Sequence, residues 1–460
     1  MKKTFNRVAV LLLTLILLAV MLSALSMLTL RKGPYWSFHP FYENPDKYEL
    51  LFFGTSHGHD AFLPTVLWEE YGYASYNLSS SSATLPMSYW AAVNALDHCQ
   101  PELLVVDCYR ISYPEPAAET SFIHSMMDAI PLSLNKIRTA YDLCPDGVEA
   151  LELLFPFAIY HSRWSSLDAP DFSYEPSINN GSSVFFNVAV PNEKAQTRES
   201  LPLTRDMPGV AYLEKLVQLC RDRDIELLLT YLPYPAPEED VMEANGVAEL
   251  AREWGVNYIN FLDTDTVDLD TDMYDSFSHL NYSGANKVSR YLGEYISENY
   301  ALTDRRGEPD YLWMDQILAD YKAYELELLA GEGYLYNYLL MLSGGDRACC
   351  IYVGEDSPIY RDETSLKLLE NLPRSSELRL LRQAADSGQA YLLYLNNADG
   401  RLLEYAGGDI PETVSALGTD IRPLADQCIG IRVFDGQTGE NLGCDRSFVP
   451  GTDGIFVRSY

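Results

Sequence analysis

The chain has no Cys-x-x-Cys pair, no Walker loop, no Rossmann glycine fingerprint and no haem-attachment motif. These absences exclude zinc-ribbon, P-loop and dinucleotide-binding readings. Eight cysteines are scattered over 460 residues, with Cys349 and Cys350 adjacent and Cys108 and Cys220 in apolar surroundings. Buried thiols are ordinary there. An oxidising compartment permits bridges, Cys428 with Cys444 for example, but spacing alone pairs none of them. Histidine is missing altogether beyond residue 280. Any imidazole base must therefore come from the earlier part of the chain.

Basic residues are scarce, 33 against 66 acidic ones, for a net charge of −33. Five of the basic side chains, Lys2, Lys3, Arg7, Arg31 and Lys32, stand in a leading segment without acids, so the remainder is more acidic still. Such a surface repels nucleic acid and anionic lipid and keeps the chain soluble. No nucleic-acid partner is expected.

Long hydrophobic runs are absent after residue 30, which gives weight to the one before it. Residues 8–30 are apolar or small throughout, and at about 1.5 Å per residue they span a hydrocarbon core of about 30 Å. They read as a retained membrane anchor over residues 1–32; the alternative is a signal peptide cut near the small residues 23–26. Lys2, Lys3 and Arg7 keep the leading end in the cytoplasm. The expected localisation is the cell membrane, single-pass, with the bulk of the chain extracytoplasmic.

Residues 33–305 alternate short apolar runs with amphipathic ones. Strands are expected at 49–54, 74–78, 102–107, 225–232 and 256–261. Runs such as Leu-Leu-Val-Val lack the alternation of a half-exposed strand and suit strands buried on both faces. Strand, helix and strand in repetition give an α/β fold, a three-layer parallel sheet with flanking helices. An insertion at about 111–208 interrupts this rhythm, with helical pieces at 122–143 and 147–155. A helical linker is expected at 306–345. A small β-rich domain follows at 346–460, with strands at 350–354, 389–395, 401–405, 428–435 and 454–460.

Two short blocks carry the chemistry. Gly54-Thr55-Ser56-His57-Gly58-His59-Asp60 follows the first strand and puts a serine on a strand-to-helix turn, where backbone amides can receive an anion. Asp275-Ser276-Phe277-Ser278-His279-Leu280-Asn281 offers an imidazole with a carboxylate close by. Hydroxyl, base and orienting acid are the components of nucleophilic acyl transfer. His57 and His59 have chelating spacing but no complementary acid cluster. The Asp263–Asp272 run lacks the central glycine and closing glutamate of an EF-hand. No metal or other cofactor is expected.

Together with Asn77-Leu78-Ser79 after the second strand, these blocks resemble the SGNH/GDSL hydrolase superfamily over about residues 45–300. They are most similar to its membrane-anchored extracytoplasmic branch, the DltD-like and alginate O-acetylation-like proteins. The resemblance implies an SGNH/flavodoxin-like fold with Ser56 as nucleophile and His279 as base. The family's aspartate falls three residues before the histidine, which here is Ser276; Asp275 is the acid of choice and Asp272 the reserve. The family's block-two glycine is replaced within Ser79-Ser80-Ser81-Ser82, and its block-three asparagine within Asp107-Cys108-Tyr109-Arg110. Ser82 and Arg110 are thus the oxyanion candidates, with a structural ion pair as the alternative for Arg110. His161, Arg163 and Trp164 in the insertion are candidates for substrate contact, since aromatic rings and guanidinium groups suit carbohydrate polymers; packing of Trp164 is the alternative.

Two functions stay open at this point. One is a serine esterase or O-acyltransferase on cell-envelope glycans, whose partners are the polysaccharide and an acyl donor. The other is a catalytically inactive envelope-assembly or glycan-binding protein of the same fold.

Overall fold

The structure is a computed structural model and describes residues 2–115, 117–173, 177–414, 419–420, 428–451 and 456–458. It forms two compact units, each assembled from separate stretches of chain. The first comprises Met1–Ser183, Ala195–Thr264 and Leu292–Met314, and the second Val184–Lys194, Asp265–Tyr291 and Asp315–Tyr460. The boundary expected near residue 305 is crossed in both directions: the loop with Asp275 and His279 belongs to the second unit, although it precedes that boundary in sequence.

The first unit is built on a five-stranded parallel sheet: β1 (Leu50–Phe53), β2 (Ser75–Asn77), β3 (Leu103–Asp107), β4 (Glu226–Tyr231) and β5 (Asn257–Asn260). These are the five expected strands, each within one residue at either end. The order is β2-β1-β3-β4-β5, so β1 lies between β2 and β3 and the winding reverses there. Open α/β sheets bind ligands at that reversal, beyond the carboxyl ends of the strands. Leu50, Leu51, Phe52 and Phe53 are all fully buried, because flanking helices cover both faces of a parallel strand and leave no polar alternation. The helix Leu85–Ala95 is capped by Thr84, whose hydroxyl accepts the Met87 N–H. The helix Pro208–Arg223 opens on proline and ends at Asp224 in the left-handed region, the ordinary start and stop chemistry of helices.

The first unit also contains the N-terminal helix, Lys2–Thr29. Its stretch from Asn6 to Thr29 is long and apolar enough to cross a membrane, with a mean hydropathy of 3.0. The insertion folds as short helices: Thr120–Met127, Leu134–Leu143, Gly147–Leu154 and Phe157–Tyr160.

The second unit contains a six-stranded antiparallel sheet. Its strands are β6 (Arg347–Val353), β7 (Tyr391–Asn396), β8 (Arg401–Ala406), β11 (Ile429–Asp435), β12 (Arg446–Pro450) and β13 (Phe456–Arg458), in the order β13-β12-β11-β6-β7-β8. A separate two-residue pairing joins β9 (Thr413–Val414) to β10 (Thr419–Asp420). On β6 and β7, Cys349, Ile351, Val353, Tyr391, Leu393 and Leu395 face one apolar cluster. Alternate residues Ala348, Cys350, Tyr352, Leu392 and Tyr394 face another. The module is not all β: the helices Glu363–Glu370 and Leu381–Ser387 bury Leu366, Leu369 and Leu381 in the larger cluster. All eight cysteines are free thiols. Of the strand expected at 454–460, 454–455 and 459–460 lie outside the described residues.

Candidate functional site

In the first unit, the chain leaves β1 through Gly54 and enters the helix Ser56–Ala61 at Ser56. Thr55 is the cap and its hydroxyl accepts the His57 N–H at 3.2 Å. Glycine is required at 54 because a Cβ there would lie 2.8 Å from the Asp107 Cβ at the end of β3, so the two strand ends meet closely at the reversal of the sheet. The helix has only six residues, so its macrodipole is small and any anion at this turn would be met by individual amides.

A cluster of aromatic rings and carboxyls surrounds this turn in the same unit. The buried His57 ring stacks on Tyr109 at 4.0 Å, nearly parallel, and meets Tyr234 edge-on at 4.9 Å. Tyr234 donates its hydroxyl proton to Asp240. Tyr231 donates to Glu243 at 3.0 Å, which also accepts from the Ser112 hydroxyl and, at 3.1 Å, the Ser112 N–H. Burial raises the Asp240 and Glu243 carboxyls above their usual range. Asp107 is fully enclosed; burial pushes it up to about 8, against hydrogen bonds from the Leu232 and Tyr109 amides. Folding therefore favours its protonated form. Sequence reasoning missed this cluster because its members come from 57, 107–112 and 231–243, a grouping that only the sheet creates. The one advance signal was a tyrosine within three residues of the end of each of two buried strands, Tyr109 after β3 and Tyr234 after β4.

The loop after β2 is fixed by Asn77. Its amide nitrogen donates to the carbonyls of Gly58 and Phe62 at 2.8 and 3.1 Å, and its amide oxygen accepts the Ser79 N–H at 3.0 Å. The Ser80 N–H donates to the Gly54 carbonyl at 3.0 Å. Ser82 stands at φ 54 and Arg110 at φ 63. Left-handed backbone favours glycine first and asparagine next, the two residue types absent from these loops. The Arg110 guanidinium lies 4.0 Å over the Tyr113 ring.

In the second unit, His279 Nδ1 and Asp275 Oδ2 are 2.5 Å apart. The other carboxylate oxygen accepts the N–H groups of Phe277, Ser278 and His279 at 2.9, 2.7 and 3.2 Å. Burial raises the Asp275 pKa, but the His279 and backbone hydrogen bonds outweigh it and bring the carboxyl to about 2. The side chains are 25% and 29% exposed, imidazole first, so the pair is open to a reactant. Asp272 is engaged elsewhere, 2.7 Å from the Lys287 ammonium. Asn281 closes the loop: its side-chain oxygen caps the helix Tyr282–Asn299 through Ser283 and Gly284, and its amide donates to the carbonyls of Asn187, Thr271 and Met273. Ser56 belongs to the first unit and the Asp275–His279 pair to the second.

Within the insertion, Arg163 is held by its own unit. Its guanidinium donates to the Thr29 carbonyl at 2.8 Å and to the Leu30 carbonyl, and pairs with Asp171 at 2.7 Å. His161 donates through Nδ1 to the Ala158 carbonyl at 2.7 Å. Trp164 is 73% exposed, so it is not a packing residue of this unit.

Among the described residues, no group of three or more His, Cys, Asp or Glu side chains is placed to hold a metal ion. No family model matches the chain, and no curated protein matches it.

Proposed function

We propose that this chain is a membrane-anchored serine esterase or O-acyltransferase of SGNH type, acting on acyl esters of cell-envelope glycans from the extracytoplasmic side. The observation that carries the reading is the Asp275–His279 pair. A carboxylate bound to Nδ1 holds the neutral ring in the tautomer whose basic lone pair is on Nε2. Ser56 supports it by its place, first in a helix after β1 at the reversal of the sheet. The backbone of Ser82 and Arg110 supports the family resemblance, since both stand in the left-handed region that glycine and asparagine favour.

In this reading the Ser56 hydroxyl attacks the ester carbonyl and its proton passes to His279 Nε2. The tetrahedral oxyanion collapses, and the departing alcohol takes the proton from the imidazolium. Water or a sugar hydroxyl then gives up a proton to His279 as it attacks the acyl-serine, and the imidazolium returns that proton to the departing Ser56 Oγ, releasing acid or a new ester and restoring the free serine. The anchor supports an extracytoplasmic setting. Ser26, at the edge of the small-residue stretch, accepts the Phe157 N–H at 3.1 Å, and Thr29 and Leu30 are buried. Cleavage at 23–26 would sever a helix whose end is built into the fold.

A fluorophosphonate probe and an aryl acetate test the reading on the full chain. Labelling and turnover should be lost in Ser56→Ala and fall steeply in His279→Ala. Equal labelling of wild type and Ser56→Ala would overturn it. The inactive glycan-binding reading has one observation in its favour: the Ser79 and Ser80 amides are already bonded within the protein, which removes two donors from an oxyanion hole. Binding of wall polymer unchanged by Ser56→Ala, without turnover, is its signature.

A further inference from the structure

We propose that the insertion is a membrane-seating platform: Phe155, Trp164 and Phe172 enter the headgroup region of the bilayer around the N-terminal helix. The inference rests on the anchored reading above and adds a lipid contact to it. Three bonds fasten the insertion to the last turns of that helix. Phe157 N–H donates to the Ser26 hydroxyl and Arg163 donates to the Thr29 and Leu30 carbonyls, while Asp171 holds Arg163 from within the insertion. Phe157, Arg163 and Asp171 each have an exposed ring within two positions: Phe155 at 40%, Trp164 at 73% and Phe172 at 69%. Consecutive Cα atoms are about 3.8 Å apart, so none of these rings can lie far from the helix end.

The depth follows from length. From Val8 to Met21 the large apolar side chains are about half exposed or more, whereas Ser26, Thr29 and Leu30 are buried by protein. A hydrocarbon core of about 30 Å takes roughly twenty residues at 1.5 Å each. Counted from Val8, where the apolar run begins, that reaches about Met27. The collar at Ser26–Leu30 then stands at headgroup level, where Trp and Phe rings are most at home. Three large rings left in water beside a membrane-crossing helix would cost burial that the adjacent lipid supplies. Arg31 and Lys32 follow directly, where basic side chains reach lipid phosphates.

The test uses the full chain with Cys428→Ser, since Cys428 is the one native cysteine that is not buried, and a single added cysteine at Trp164→Cys or Phe172→Cys with an environment-sensitive fluorophore. The protein is reconstituted in phosphatidylcholine nanodiscs with or without shallow spin-labelled lipid, and intact mass of the membrane-extracted chain reports whether the helix is retained. With the helix retained, both labels should lose more than about half their emission to the shallow lipid quencher and be shielded from aqueous iodide, as headgroup-level rings are. A retained helix with both labels quenched by iodide and untouched by the lipid quencher overturns the platform alone. A chain lacking residues 2–25 overturns the anchor and the platform with it.

Discussion

Asp275 orients His279 with one carboxylate oxygen and folds the turn that carries it with the other. Oδ2 sits 2.5 Å from Nδ1, while Oδ1 gathers the three N–H groups of residues 277–279. Asp275→Asn separates these tasks, because an amide oxygen still accepts the backbone bonds but an amide nitrogen facing Nδ1 forces the ring proton onto Nε2. Fluorophosphonate labelling of Ser56 should slow by about 10³–10⁴-fold, the scale of losing tautomer control in a triad. Thermal unfolding should show only a small change. A large fall in stability with labelling intact would make the aspartate purely structural.

The same carboxylate predicts an acid limb to stability. Its pKa falls from 3.8 to about 2 on folding, so the folded state favours the ionised form. The stabilisation is complete above pH 4 and is lost as pH falls through 2. Because both partners are partly exposed, its size is about 1 kcal/mol after solvent screening. Urea unfolding between pH 4 and pH 2 should show wild type losing that increment and Asp275→Asn lacking it.

The strands and the paired loop were legible in sequence for a physical reason: both are local. Leu-Leu-Phe-Phe and Leu-Leu-Val-Val declare burial on both faces, and Asp275 lies only four positions from His279. The sequence already favours Asp275 over Asp272, and the structure adds a reason, since Lys287 claims Asp272. The tyrosine and carboxyl cluster around His57 was invisible because β3 and β4 pair across more than a hundred residues. Arg163 was legible as a cation with an aromatic neighbour, but its partners, the carbonyls at 29 and 30, are main-chain groups that no side-chain motif announces. The helices Glu363–Glu370 and Leu381–Ser387 escaped notice because each has two turns, too few for a clear apolar period.

Asp107 predicts an opposite slope at higher pH. Enclosure at the end of β3 raises it to about 8, so the folded chain retains a proton that the unfolded chain has released above pH 4. Stability contributed by this group falls as pH rises from 4 to 8 and then levels off. Asp107→Asn preserves the acceptor for the Leu232 N–H and removes the titration. Its stability relative to wild type should improve by at least about 1 kcal/mol between pH 4 and pH 8, read as the difference between two urea midpoint series. A constant difference across that range would place Asp107 as ionised in the native protein.

Asn281 bears on fold and site together. It is fully buried, caps one helix through Ser283 and Gly284, and satisfies three carbonyls from Asn187, Thr271 and Met273. Alanine there removes the cap, worth about 1 kcal/mol, and strands buried carbonyls at about 1–3 kcal/mol each where water cannot follow. A loss of about 3 kcal/mol or more is expected in the urea midpoint. Met273 and Leu280 pair across the base of the His279 loop, and Asn281 holds both ends of it, so labelling of Ser56 should also fall, more than it does in a control of equal stability loss such as a large-to-small change in the β6–β7 core. Stability lost without any disproportionate loss of labelling would show that the loop keeps its geometry without its buried amide.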